Sequence, residues 1–299
     1  MPQSEPDTIN SVPTPTGDAP PAVTTAVVPA AGFGTRLRPL SESIPKEMLP
    51  VGRYLALERI VGELAAAGMR RVVFVLSPAK EHFIRERFGD GREGVSFIYV
   101  LQPEMRGLGD AILQAESALR PGEPFVVALG DAVFEEAQPG DLVRRLVRAC
   151  AEQGAGVALA VQRVPEERIS RYGVVAPAPD SPADGPFLAI TDIVEKPAPH
   201  EAPSAFAAAA RYVVPGEVFD AIRATPPGKG GEVQLTDALR ALLRAGSGGV
   251  AVPLQVGEAR HDIGGLDSYF RAFVTFALAD PEHGEGLRAH LEQMLRGRD

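Results

Sequence analysis

Ala26-Val27-Val28-Pro29-Ala30-Ala31-Gly32-Phe33-Gly34-Thr35-Arg36 is an apolar run that empties into small residues and two glycines. Small side chains let a backbone approach a ligand closely, and the exposed N–H groups of such a loop suit phosphate oxygens. Arg36 adds a charge-assisted donor of the kind that pairs with phosphate. Neither common phosphate loop fits. The dinucleotide fingerprint wants a third small residue where Leu37 stands, and an acidic ribose partner about 20 residues on, which is not evident. The Gly-x4-Gly-Lys-Ser/Thr loop is absent as well.

Working outward, apolar strand-like runs alternate with helical patterns. Val72–Leu76, Phe97–Leu101 and Phe125–Leu129 read as strands, the first of them buried on both faces. Leu55–Ala67, Lys80–Phe88, Asp110–Leu119 and Asp141–Cys150 read as the intervening helices. This order predicts a Rossmann-like, three-layer α/β/α fold with a mostly parallel, mixed central sheet. Further on, strands are expected at Gly156–Gln162, Gly173–Pro177, Phe187–Glu195, Phe206–Val214 and Val250–Val256. Helices follow at Glu217–Arg223, Gln234–Arg244, Asp267–Leu278 and Pro281–Leu295. Residues 25–299 are expected to form one domain: 25–150 a nucleotide-binding half, 151–280 a sugar-phosphate half, and 281–299 a C-terminal helix.

Residues 1–24 are rich in Pro, Thr, Ser and Ala and lack a periodic apolar pattern, which predicts a disordered tail. The first basic residue is Arg36, so the charged n-region of a secretory signal is missing and a cytoplasmic location is expected. With 30 basic and 39 acidic residues the net charge is −9, which argues against a nucleic-acid partner. No apolar run approaches the roughly 20 residues of a membrane span. A single cysteine excludes an internal disulfide and a multi-cysteine zinc site.

Several further motifs carry two readings each. Lys46, between Pro45 and Pro50, is either a solvated loop lysine or a second cation held by stiff flanks. Gln102-x4-Gly107-Leu108-Gly109-Asp110 is a plain β–α turn or an amide set to read a base edge. Asp131 ends the Phe125–Leu129 strand, where it serves as a turn residue or as a natural Mg²⁺ ligand. Glu195-Lys196-Pro197 closes another strand, with a carboxylate for sugar hydroxyls beside an ammonium for a phosphate. Asp262 is a helix-entry residue or a second metal carboxylate. His82, His200, His283 and His290 have no ligand spacing and are expected at the surface or in structural roles.

Taken in order, Pro29-Ala-Ala-Gly-x-Gly-Thr-Arg36 and Pro45-Lys-Glu-Met-Leu-Pro50 resemble the signature of the sugar-phosphate nucleotidylyltransferases. Within that family the chain is most similar to bacterial UTP–glucose-1-phosphate uridylyltransferases, from about residue 24 to about 279. Ser170-Arg-Tyr-Gly-Val174, Arg211-Tyr212 and Gly230-Gly-Glu-Val-Gln-Leu-Thr-Asp237 extend the resemblance. It implies a nucleotidyltransferase (GT-A-like) fold, UTP and a sugar 1-phosphate as partners, Mg²⁺ as cofactor, and a homo-oligomer, dimer or tetramer. It also implies roles. Ala30, Ala31, Gly32, Gly34, Thr35, Gln102 and Gly107 would hold the nucleotide, and Gly173, Glu195 and Lys196 the sugar phosphate. Asp131 and Asp262 would hold the metal, while Arg36, Lys46, Asp131 and Lys196 would be catalytic.

The chain departs from the family pattern at two places. Gly265-Leu266 stands where Ser/Asn-Lys is usual, removing a lysine that faces the sugar phosphate. Arg53-Tyr54 stands where Lys-Pro is common. Two other classes therefore stay open: the same fold acting on another nucleoside triphosphate, such as dTTP, or another sugar 1-phosphate, and a weakly active regulatory or binding paralogue. Asp131-Ala132-Val133 lacks the Asp-x-Asp common among glycosyltransferases.

Overall fold

Residues 23–92, 94–182, 185–228 and 231–296 are described by a computed structural model. The predicted tail thus lies almost wholly outside the described residues, as does Gly230. In chain order the first half comprises β1 (Thr25–Pro29), β2 (Pro50–Val51), β3 (Tyr54–Leu55), α1 (Ala56–Ala66), β4 (Arg71–Leu76) and α2 (Pro78–Phe88). It continues with β5 (Gly91–Arg92), β6 (Val95–Leu101), α3 (Leu108–Gln114), β7 (Phe125–Ala128), β8 (Ala132–Glu135) and α4 (Asp141–Glu152). The second half comprises β9 (Val157–Arg163), β10 (Gly173–Pro177), β11 (Leu188–Glu195), β12 (Phe206–Val214), α5 (Val218–Ala224) and α6 (Leu235–Arg244). Last come β13 (Gly249–Pro253), β14 (Ala259–Asp262), α7 (Leu266–Leu278) and α8 (Gly284–Arg296).

Ten strands form one sheet in the order β10-β11-β13-β9-β12-β7-β1-β4-β6-β5. The nucleotide half is parallel where β7, β1, β4 and β6 lie side by side. The reversed strands are β5, β11 and β12, and β12 crosses from one half to the other by pairing antiparallel with both β7 and β9. Side chains alternate across β1, as the two-residue period of a strand requires. Ala26 and Val28 enter one core with α1, α2, α4 and α7; Val27 enters the other with α3, α5 and α6. The sheet is therefore covered on both faces, giving three layers.

Two departures from the expected elements bear on the site. The helix expected at Asp110–Leu119 is a seven-residue helix, α3, followed by a 3₁₀ turn over Ala115–Ala118. The expected strands also omit β8 and β14, a separate antiparallel ribbon that pairs Asp262 with Ala132. Each ribbon strand is four residues long; β8 has a short apolar run, Ala-Val-Phe, but β14 reads Ala-Arg-His-Asp and shows none, so its pairing with β8 is what makes it a strand.

Arg211 ties the ribbon to the sheet. Its side chain is fully buried and binds both carboxylate oxygens of Glu63 at 2.7 Å. The same guanidinium donates to Ala132 O at 3.0 Å and to Ala210 O at 2.9 Å. Ala210 has φ 64°, in the left-handed region, at a register shift in β12 between Ala208 and Tyr212. A residue without a β-branch fits that strained position.

Candidate active site

The first loop sits at the carboxyl edge of β1, the edge at which open α/β sheets gather ligands. Ala30 and Ala31 are buried, whereas Gly32 and Thr35 are exposed. Among the described residues, the amides of Ala31, Gly32, Phe33 and Gly34 have no hydrogen-bond acceptor. The loop's carbonyls are spoken for instead: Lys80 Nζ donates to Ala30 O at 3.0 Å and, more closely, to Gly32 O. Carbonyls held inward leave a row of N–H groups for an anion, the property that a phosphate cradle needs.

Lys80 in turn meets both oxygens of Glu47, at 2.8 and 3.0 Å, and Glu47 is completely buried. Burial pushes the Glu47 carboxyl up and the Lys80 ammonium down, against their mutual attraction. Neither residue stands out in the sequence as a site residue. Lys80 falls in a helix that looks merely charged, and only the fold turns it beneath the loop.

Gly130 joins the first loop to the next. Its N–H donates to Pro29 O at 3.1 Å, and a Cβ there would stand 2.9 Å from that oxygen and 3.1 Å from Ala30 Cβ. Asp131 follows, with its Oδ2 2.6 Å from Lys46 Nζ. Burial opposes both charges, but Lys46 and Arg260 outweigh it at Asp131 and hold that carboxyl below its ordinary value. At Lys46 the carboxylates of Asp131, Glu47 and Asp262 likewise outweigh burial and raise the ammonium. Lys46 also packs on Gly34, whose φ is 66° and whose absent side chain would lie 3.4 Å from Lys46 Cβ.

Asp262 reaches the same place along the ribbon. Ile263 N donates to Asp131 O at 2.9 Å, and Asp262 Oδ1 accepts from Gly264 N at 2.6 Å. The carboxylate thus closes a turn at the end of β14, and α7 begins four residues later at Leu266 with Gly265 as its cap. The helix-entry reading of Asp262 is set aside. Arg36 arrives over Gly264: a Cβ on that glycine would lie 2.9 Å from Arg36 Nη2 and 2.8 Å from Asp262 Oδ1. Leu266 packs against the apolar core and supplies no polar group.

A cavity of about 300 Å³ is lined by Ala30, Ala31, Gly32, Lys46, Gln102, Gly107 and Asp131, whereas Arg36 and Asp262 are not among its lining residues. Gln102 is buried there; its Nε2 donates to Asp110 Oδ2 at 2.7 Å and to Gly107 O at 3.2 Å, leaving its carbonyl oxygen to accept. Gly107, at φ 107°, lies so close to Val233 O that a Cβ would meet it at 2.6 Å. Gly109 N and Val233 N complete the clasp, at 2.8 Å to Val233 O and 2.7 Å to Arg106 O. The Gly231–Asp237 segment therefore walls the cavity with Glu232 and, a few residues on, places Thr236 3.2 Å from the Cβ position of Gly173.

Gly173, Glu195 and Lys196 form a second cluster. Glu195 Oε2 is 3.4 Å from the Cβ position of Gly173, and Lys196 Nζ lies 3.0 Å from Glu195 Oε1. Lys196 has φ 45°, a left-handed conformation that costs energy in a non-glycine residue. Burial together with the Glu195 charge raises the neighbouring Asp237 carboxyl. The Tyr212 hydroxyl is raised to about 12, chiefly by burial. Of the histidines without ligand spacing, His82, His200, His283 and His290 are all exposed.

The nucleotidyl transferase family model matches residues 25–277. The chain belongs to the nucleotidyl transferase family. It is 33% identical over 290 residues to a UTP–glucose-1-phosphate uridylyltransferase of Staphylococcus epidermidis, covering 90% of this chain and 97% of that one. Among solved structures, the UTP-bound UDP-glucose pyrophosphorylase of Acinetobacter baumannii is 30% identical with a TM-score of 0.80, over 90% of this chain and 98% of that one. A UDP-glucose pyrophosphorylase complexed with UDP-glucose aligns at 28% identity and a TM-score of 0.78, over 86% of this chain and 100% of that one. No helix among the described residues is long and apolar enough to cross a membrane.

Proposed function

We propose that this nucleotidyl transferase moves a uridylyl group from UTP to glucose 1-phosphate, giving UDP-glucose and pyrophosphate. The observation that supports the reading is a row of free first-loop amides beside a cavity lined by Lys46 and Asp131, with Asp262 close enough on the adjoining ribbon for its charge to act on Lys46. In the reaction, an oxygen of the sugar phosphate forms a bond to the α-phosphorus of UTP. The bond from that phosphorus to the β-bridging oxygen breaks in line, and the electron pair leaves with pyrophosphate. The nucleophile is already an anion, so the site needs no general base. It must bring two anions together and balance the charge that develops.

Each part of the chain has a share in that task. The amides of Ala31, Gly32 and Gly34, with Thr35, cradle the triphosphate. Gln102 Oε1 accepts from the N3–H of uracil beside Gly107. Arg36 and the two N–H groups that Lys46 does not spend on Asp131 hold the leaving pyrophosphate. Gly173 and Glu195 face the hexose, and Lys196 holds its phosphate. A unit charge pair at about 4 Å is worth roughly 4 kcal/mol at an effective dielectric near 20, so a few such contacts reach catalytic size. We assign residues 25–150 to the nucleotide and 151–280 to the sugar phosphate.

Two carboxylates with hard oxygen donors fit Mg²⁺, which takes one or two carboxylates and fills its shell with water and phosphate oxygens. Asp131 Oδ1 and Asp262 Oδ2 are the oxygens left for it, the latter with Arg260 only at 3.4 Å. When bound, the ion neutralises charge on the phosphates. We place the enzyme in the cytoplasm and read it as a homo-oligomer, on the exposed Phe270, Phe273 and Val274 of α7, spaced as one helical face. The test of the reading is pyrophosphate release across a matrix of nucleoside triphosphates and sugar 1-phosphates. Strongest release with UTP and glucose 1-phosphate supports it; release with a different pair moves the substrate assignment; none with any pair replaces the enzyme by a binding protein.

A further inference from the structure

Arg260 sits on β14 two residues before Asp262, so both side chains leave the same face of the ribbon. Its side chain is only 10% exposed. The guanidinium is always charged and carries five N–H donors in a rigid fork. Among the described residues, those donors are almost unspent. Nη2 meets Asp262 Oδ2 at 3.4 Å, and Nε is buried with no acceptor at all. A buried donor left unmet costs free energy, so an acceptor that arrives later is its natural explanation.

The surroundings say which acceptor. On one side Arg260 faces the metal carboxylates: Asp131 is among the groups that feel its charge. On the other side its guanidinium carbon stands 5.7 Å from the Tyr172 ring centroid. Tyr172 precedes Gly173, and its carbonyl oxygen accepts from Lys196 N at 2.9 Å. The fork thus lies at the junction between the carboxylate pair and the sugar-side cluster, where the phosphate of a sugar phosphate would meet the α-phosphorus. A planar fork also binds two phosphate oxygens at once and so fixes orientation as well as charge.

We propose that Arg260 is a phosphate-binding residue for the sugar 1-phosphate, its unspent donors taking two oxygens of that phosphate as it docks beside the Asp131–Asp262 pair. The proposal rests on the uridylyl-transfer reading and extends it. Lys196 and Arg260 then grip the attacking phosphate from the two sides of Glu195 and Tyr172, while Arg36 and Lys46 serve the leaving group.

The experiment compares the full-length wild type with Arg260→Gln and Arg260→Lys. Steady-state kinetics are run against each substrate, UTP and glucose 1-phosphate binding are followed by calorimetry, and thermal midpoints serve as a folding control. Arg260→Gln is expected to raise the KM for glucose 1-phosphate at least about tenfold while UTP affinity moves by less than about threefold, and Arg260→Lys to recover part of the loss. An unchanged KM for glucose 1-phosphate in a folded variant overturns the proposal. So does an equal loss of affinity for both substrates, which marks Arg260 as a counter-charge for the carboxylates. If Arg260→Gln does not fold, Arg260→Lys carries the same comparison alone. If the wild type releases no pyrophosphate with any pair, the parent reading fails by itself. Arg260 is then judged on calorimetry: a tenfold drop in glucose 1-phosphate binding upholds it, and equal binding or none refutes it.

Discussion

Ile263 N donates to Asp131 O at 2.9 Å, and this contact, next to the pairing of Asp262 with Ala132, sets the Asp131 and Asp262 segments side by side although they lie far apart in the sequence. Asp131 arrives at the end of a strand in the main sheet, and Asp262 at the end of the ribbon strand paired beside it. Backbone pairing sets their approach, so it survives changes of either side chain.

Arg36 is the clearest single test of the leaving-group end. It is exposed, on a loop, and reaches toward Gly264 and Asp262. Arg36→Ala is expected to lower turnover at least about a hundredfold, the size of one lost electrostatic stabiliser. Its unfolding midpoint should match the wild type, because no core contact is removed. Near-normal turnover would take the residue out of the reaction.

Arg211 tests the frame behind the site. Arg211→Met leaves Glu63 buried without its bidentate partner, and breaking such a pair costs about 3–5 kcal/mol. Urea unfolding should show this loss at unchanged slope. The bond to Ala132 O goes as well, so turnover is expected to fall further than Arg211's distance from substrate suggests. A variant as stable as the wild type would mean that the pair contributes little.

The Lys46–Asp131 pair predicts a flat pH response through neutrality. The Asp131 carboxyl is held below its ordinary 3.8, so its contribution is present above that value and lost only as pH falls through the lower folded one. The Lys46 ammonium is raised above 10.5, so its contribution is full below that value and lost as pH rises past the higher one. Lys46→Met also leaves the Asp131 and Glu47 carboxyls to burial, which raises both, so the stability advantage of the wild type should be flat through neutrality and shrink toward acid pH. An advantage that does not shrink in acid would show that Lys46 does little to keep those carboxyls ionised.

The base preference follows from Gln102. With Nε2 committed to Asp110 and Gly107, its carbonyl oxygen is left to accept from N3–H. Uracil and thymine both donate there, whereas cytosine presents an acceptor. CTP should thus be rejected by several orders of magnitude in kcat/KM, as sites with fixed hydrogen-bond partners do, while dTTP is discriminated far less. CTP turnover close to that of UTP would place the base elsewhere.

Much of this was legible in the order of residues. The β1 loop, Gln102 and Asp131 each follow a short continuous apolar run, which reads plainly as a buried strand, and Lys46 is marked by its flanking prolines. Asp262 was visible as a residue but not as part of a strand, since Ala259–Asp262 is polar and short and acquires its structure only by pairing with β8. Lys80, Glu47 and Arg260 were not legible as site residues at all. A buried charge looks in sequence like an exposed one, and only the three-dimensional neighbours separate them. The missing lysine at Leu266 was legible, since a single residue type at a fixed place in a motif can be read directly.

The central claim is that Asp131 and Asp262 share one divalent ion. Mn²⁺ titration of the UTP complex, followed by electron paramagnetic resonance, tests it most directly in the wild type, Asp131→Asn and Asp262→Asn, against free Mn²⁺–UTP as control. One protein-held ion per chain is expected in the wild type, and each single variant should weaken that same ion at least about tenfold. Wild-type affinity in either single variant, or two protein-held ions per chain of which each variant loses one, would refute it.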